Sequence, residues 1–278
     1  MRLDSHQHFW KYNPVRDQWI TDEMAVIRRD FLPEDLFPEL RANQIDGCIA
    51  VQADQSEDET QFLLDLARQN SFISGVVGWI DLRAENVSEC LAVLSRNKKL
   101  RGFRHIVQAE RDDCFMLRDD FVRGIGSLSQ FGFTYDILIY PRQLPAAIEL
   151  VARYPHQSFV IDHLAKPEIK ARRTEPWAQH IREIATNPNV YCKVSGFITE
   201  ADWKTWQPDD FMPYLDTVCE AFCTDRIMFG SDWPVCLLAG TYSQVVHLVA
   251  DYTENFSTTD KDKIFGLNAA HFYRIADC

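Results

Sequence analysis

Eight short apolar runs recur along this chain, and a helix-compatible segment follows each of them. The runs cover residues 3–9, 47–52, 74–82, 100–107, 133–139, 158–164, 190–197 and 226–230, and each reads as a strand. The helical segments cover 33–43, 58–70, 86–97, 118–131, 141–154, 176–186 and 209–224, with 242–252 and 260–270 after the last strand. Ser56-Glu57-Asp58-Glu59 suits a helix cap, and Pro141 and Pro176 suit helix starts. Strands that take turns with helices form a parallel sheet covered by helices, and eight such units can close on themselves. An open doubly wound sheet would carry a glycine-rich phosphate loop after its first strand. Here that position holds His6-Gln7-His8-Phe9-Trp10. The expected fold is therefore an α/β, distorted (β/α)8 TIM barrel.

With 278 residues, 46% of them apolar, the chain can fill one large core, and nothing in its composition marks a second domain. Residues 1–278 are expected to form a single barrel domain. A net charge of -12 argues against nucleic acid or an anionic membrane as partner, because both select concentrated Lys and Arg. The eight cysteines are scattered, several inside apolar runs, and no CxxC occurs. Cys219 and Cys223 lie one helical turn apart without a second pair, so thiols are expected rather than a zinc clip. Asp4 and His6 interrupt the stretch a signal peptide would need, and no run of 18 apolar residues exists. A reducing cytoplasm is the expected compartment.

Chemistry concentrates at strand ends. Side chains alternate along a strand, so His6 and His8 share a face and can hold one metal ion or bracket one anionic or carbonyl group. His-x-His alone is as often incidental. His163 and Asp232, however, close later apolar runs, and in a barrel such ends converge on one face. Three histidines and a carboxylate make a mixed N/O set that suits zinc better than manganese, and a metal-free hydrogen-bonded cluster is the alternative. Arg104 and His105 point to opposite faces of a regular strand, so one of them should project inward. Lys166 and Lys193 are further candidates that could equally be structural. Residues 9–31, with Trp10, Tyr12, Trp19 and Phe31, read as a folded flap or rim beside the pocket.

Four segments carry a family resemblance: Leu3-Asp4-Ser5-His6-Gln7-His8-Phe9-Trp10, Arg101-Gly102-Phe103-Arg104-His105, Asp162-His163-Leu164-Ala165-Lys166-Pro167 and Phe229-Gly230-Ser231-Asp232-Trp233-Pro234. Together they resemble the amidohydrolase superfamily, in the family 2 branch of sugar-lactone and muconolactone hydrolases. Within it, the hydrolases of L-fucono-1,5-lactone and L-rhamnono-lactone are the most similar. The resemblance implies hydrolysis of a sugar 1,5- or 1,4-lactone to the aldonic acid, with L-fucono-1,5-lactone foremost. It implies that Asp232 activates water and later protonates the leaving oxygen, with His6, His8 and His163 completing the catalytic set. Arg104, His105, Lys166 and Trp10 are the expected substrate contacts, and His6, His8, His163 and Asp232 the expected ligands of one divalent ion, zinc first.

This chain departs from the fuller binuclear pattern, because its fifth strand has no histidine and no bridging lysine follows from its fourth. Some members of the branch work without a required metal, so catalysis without an ion stays open. Two other readings also stand: a metal-dependent nonoxidative decarboxylase of an aromatic or unsaturated acid, and a barrel that only binds. A homodimer is the expected assembly.

Overall fold

A computed structural model describes residues 1–275. Cys278 lies outside the described residues. Eight parallel strands form one sheet in sequence order: β1 (Leu3–Gln7), β2 (Gly47–Val51), β3 (Ile73–Gly78), β4 (Leu100–His105), β5 (Thr134–Ile137), β6 (Phe159–Ile161), β7 (Val190–Val194) and β8 (Ile227–Phe229). Their side chains are almost all buried, since helices cover the outer face and the inner face closes on itself. The helices after successive strands are α1 (Pro33–Ala42), α2 (Glu57–Gln69), α3 (Val87–Leu94), α4 (Asp119–Leu128), α5 (Leu144–Arg153), α6 (Trp177–Ala185), α7 (Met212–Phe222) and α8 (Tyr242–Tyr252). Ser56 caps α2, its Oγ accepting from Glu59 N at 3.1 Å. No helix of the described residues is long and apolar enough to cross a membrane.

The seam between β1 and β8 closes just beyond the end of β8. Asp232 N donates to His6 O at 2.8 Å and His8 N to Trp233 O at 2.7 Å. Ser5 Oγ also donates to Phe229 O at 2.6 Å. The two chain segments that carry His6, His8 and Asp232 are thus stitched to each other.

Two regions differ from the expected pattern. The sixth strand stops at Ile161, and residues 162–165 form a tight turn, because His163, Leu164 and Ala165 adopt left-handed backbone with φ of 55° to 57°. The last helix is also broken. It splits into α9 (Thr258–Asp262), a π turn at Lys263–Leu267 and α10 (Asn268–Phe272). At the π turn a Cβ on Gly266 would lie 2.2 Å from Met1 O, so this glycine lets the start of β1 approach closely. Beyond it, Phe272 and Tyr273 pack with Leu3, Ile49, Val77, Val160 and Met228, filling the lower interior of the barrel.

Candidate active site

Two layers of polar side chains occupy the upper barrel. The lower layer is ionic and buried. Arg104 from β4 donates through Nη1 to Asp162 Oδ2 at 3.0 Å. Lys193 from β7 lies 3.0 Å from Asp162 Oδ1 and donates to Asp136 Oδ2 at 2.5 Å. Tyr273 completes it from below, its hydroxyl donating to Asp136 Oδ2 at 2.7 Å. Two cations and two carboxylates balance, which such burial requires. Arg104 Nη2 also bonds the Gln52 backbone carbonyl and lies 3.2 Å from Gln52 Oε1.

The upper layer is the expected cluster. His6 Nε2 and His8 Nε2 are 3.2 Å apart. Asp232 Oδ1 sits 3.8 Å from His6 Nε2, 3.4 Å from His8 Nε2 and 3.7 Å from His163 Nε2. Each ring is fixed through its other nitrogen. His8 Nδ1 lies 2.8 Å from Val51 O, an acceptor only, so that nitrogen carries a proton and Nε2 turns to the site. His163 Nδ1 bonds Ser195 Oγ at 2.9 Å. His6 Nδ1 lies 3.2 Å from Lys193 Nζ and 3.3 Å from Asp162 Oδ1, which ties the upper layer to the lower one, and its Nε2 also lies 3.2 Å from Arg104 Nη1.

Local backbone form puts these groups in place. Asp162 and His163 are consecutive, and in a continuing strand they would face opposite ways. The left-handed turn swings His163 back over the barrel, so that Asp162 serves the lower layer and His163 the upper. Left-handed backbone costs about 1 to 2 kcal/mol per non-glycine residue. The turn is held from outside by Trp177 Nε1, which donates to Leu164 O at 2.6 Å. Asp232 is left-handed as well, at φ 57°. Gly196, at φ 62°, leaves room for the His163 ring, since a Cβ there would stand 2.4 Å from Nδ1. A bulge in β1 between Asp4 and Gln7 turns Asp4 outward, where it accepts from Ser231 Oγ at 2.5 Å and Tyr242 OH at 3.1 Å.

Burial drives the His6 and His163 pKa values well below the ordinary imidazole range, although Asp162 opposes this for His6 and Asp232 for His163. Both rings are neutral lone-pair donors. Burial pushes the Asp232 carboxyl up, but the fields of His163, His8 and Lys166 and the bond to His8 outweigh it and hold the group below its usual value. Asp232 is an available carboxylate.

Above the cluster opens a cavity of about 300 Å³. His8, His163, Asp232, Arg104, Lys166 and Trp10 all line it, whereas His6 does not. Lys166 Nζ pairs with Glu200 Oε1 at 2.9 Å. Trp10 and Trp19 place the segment after β1 on the cavity rim, where Trp10 pairs with Phe31 in a short bridge. His105 corrects the expectation. Strand alternation sends it outward, where Nε2 meets Glu110 Oε1 at 2.8 Å and the ring stacks on Phe115, so it does not line the cavity. Lys193 belongs to the buried layer. Sequence reasoning missed Asp162, Asp136 and Gln52. An acid inside the apolar run Phe159-Val160-Ile161-Asp162 was the available signal for the first.

A parallel barrel with neutral imidazoles and a carboxylate at its strand ends defines a hydrolase of the amidohydrolase type. A family described as Amidohydrolase matches residues 3–275, and the chain belongs to it. The chain is similar to the L-fucono-1,5-lactonase of Burkholderia multivorans, at 41% identity over 100% of this chain and 97% of that protein. The L-fucono-1,5-lactonase of Burkholderia ambifaria is 38% identical over 99% and 96%. A solved amidohydrolase of Burkholderia multivorans with bound zinc superimposes at a TM-score of 0.95 and 41% identity, covering 99% of this chain and 100% of that one.

Proposed function

We propose that this protein hydrolyses a sugar lactone to its aldonic acid, with L-fucono-1,5-lactone as the preferred substrate. The observation that carries this reading is the meeting of three imidazole Nε2 atoms with the ionised Asp232 carboxylate beneath a cavity of sugar size. The similarity to two L-fucono-1,5-lactonases along their whole length supports the choice of substrate.

The donor set fits a divalent ion. Four ligands at zinc distances of about 2.0 to 2.1 Å sit on a tetrahedron with edges of about 3.3 Å. The separations of 3.2 to 3.8 Å among His6, His8 and Asp232 come close to that, and His163 Nε2 stands 3.7 Å from Asp232 Oδ1 as a fourth donor. Those residues would hold the ion, and the zinc-bound relative supports zinc. A bound ion there would supply carbonyl polarisation and a more acidic water.

The chain's own residues carry the proton transfers. Asp232 takes a proton from the attacking water as the new C–O bond forms at the lactone carbonyl carbon. It then returns the proton to the ring oxygen as the C1–O bond breaks, leaving a hydroxy acid. His163, held by Ser195, keeps the water and carbonyl in register. Arg104 and Lys166 supply positive charge at the cavity wall, where the carbonyl oxygen gains negative charge. Trp10 and Trp19 form an apolar rim that grips the sugar and shields the reaction from bulk water.

Acid release from L-fucono, L-rhamnono, L-galactono, D-galactono and D-arabinono lactones, followed with a pH indicator, tests the reading. Rates above spontaneous opening are expected, greatest with L-fucono-1,5-lactone. No rate above background on any of them sinks the proposal, and carbon dioxide release from an aromatic acid instead would replace it with decarboxylation. A cytoplasmic setting is part of the proposal and is supported by the seven free thiols of the described residues.

A further inference from the structure

Lys166 lines the cavity, and its Nζ lies 2.9 Å from Oε1 of Glu200, which does not. The partners come from two different strand ends, and each is held by its own backbone. Lys166 ends the left-handed turn after β6, at φ 51°, where its N donates to His163 O at 2.7 Å. Glu200 ends the short turn Phe197–Glu200 after β7. There Thr199 Oγ1 donates to Gly196 O at 2.7 Å and Trp203 Nε1 to Thr199 O at 2.9 Å. Two folded turns thus set the pair, and both side chains are largely removed from water.

The pair decides which charges the cavity can accept. Besides its neutral imidazoles, the titratable side chains that line it are Arg104, Lys166 and Asp232. Arg104 is already matched by Asp162 at 3.0 Å, and Lys166 is matched by Glu200. Among the described residues no lining cation is left over for an anion, and the net charge of -12 adds no attraction for one. Lys166 still has hydrogen bonds to give, since an ammonium carries three N–H groups and one goes to Glu200. Hydroxyls and carbonyls are therefore served at this wall, whereas a carboxylate brought to it meets Glu200 as a like charge. Resting on the lactonase reading, we propose that Glu200 determines charge specificity: by neutralising Lys166 it admits neutral sugar lactones and turns away lactones that carry a carboxylate.

The test compares L-galactono-1,4-lactone with the 1,4-lactone in which its C6 hydroxymethyl is a carboxylate, two molecules of similar size that differ by one charge. Wild type, Glu200→Gln and Lys166→Met are assayed for kcat/KM on both, with L-fucono-1,5-lactone as reference and circular dichroism to check the fold. Both galactose-derived lactones are also read as competitive inhibitors of L-fucono-1,5-lactone hydrolysis, so that a slow substrate still reports its binding. Wild type should favour the neutral member about 10-fold or more, because like charges brought together suppress the wrong partner. Glu200→Gln keeps the size of the side chain and its acceptor for Lys166 but frees the ammonium charge, so it should cut that preference about 10-fold. Lys166→Met leaves the Glu200 carboxylate unmatched and should widen it. A purely structural role for Glu200 would lower all rates alike and leave the ratio where it was. A wild type indifferent to the carboxylate, or a ratio that either folded variant leaves unmoved, overturns the assignment. If wild type hydrolyses none of the three lactones, the lactonase reading itself has failed and takes the assignment with it.

Discussion

Arg104 and Asp162 form an ion pair of 3.0 Å in which both side chains are almost wholly removed from water. Because Asp162 also faces Lys193 and His6, it is the one carboxylate that serves every cation of the lower layer. Removing it in Asp162→Ala leaves Arg104 without its carboxylate and Lys193 with Asp136 alone. Breaking a buried pair from one side costs about 3 to 5 kcal/mol. Urea unfolding should show a loss of that size, and a loss below about 1 kcal/mol would mean that the layer is not what stabilises the barrel interior.

Asp232→Asn keeps the size of the side chain and removes its ability to accept a proton. Turnover should fall about 10²-fold or more while KM changes little. Near-normal turnover in a folded variant would move the proton transfer to His163.

Glu59 sits buried at the start of α2, where Oε1 accepts from Ala53 N at 3.0 Å. Burial raises its pKa from 4.5 to about 7, against the opposing effects of that hydrogen bond and of Arg16. A folded value above the unfolded one means that its stabilising contribution is complete below pH 4.5 and is lost as pH rises through about 7. Glu59→Gln should thus stabilise the protein at pH 8 by about 3 kcal/mol, at roughly 1.4 kcal/mol per pKa unit, and match wild type near pH 4. Denaturant midpoints at the two pH values decide it; parallel curves for the two proteins would contradict the expectation.

Elemental analysis of protein purified without added metal should find about one zinc per chain. His8→Ala should lower that content without changing the far-ultraviolet circular dichroism, and chelation should lower activity. Full activity at near-zero metal would instead leave His6 and His8 acting as direct electrostatic groups.

Gly196→Ala tests the seat of His163. The new methyl would stand 2.4 Å from His163 Nδ1, at a φ of 62° that disfavours any Cβ. Turnover should drop about 10-fold or more, with the Ser195 hydrogen bond lost. Unchanged kinetics would show that His163 can shift without consequence.

The alternation of apolar and helical segments was enough to read the barrel, because parallel strands buried on both faces leave plain apolar runs. Likewise, His6 and His8 were legible from their spacing and His163 and Asp232 from their places at strand ends. The lower layer was not. Asp136 meets Tyr273 and Lys193 only after the whole barrel has wound, and no local period links them. Asp162 was hidden by its neighbour, since only the left-handed turn lets consecutive residues serve the same site. His105 and Arg104 were separable only as opposites.

Tyr273 lies beyond the last strand, yet its hydroxyl completes the ionic layer through Asp136, and that layer holds His6. During synthesis the histidines emerge long before the tyrosine. A nascent barrel can therefore bring its eight strands together and still lack a balanced floor, so that competence for chemistry arrives with the closing segment rather than with the sheet. The first strand and the segment beyond the last one therefore depend on each other: a chain stalled before Tyr273 lacks the hydroxyl that Asp136 accepts.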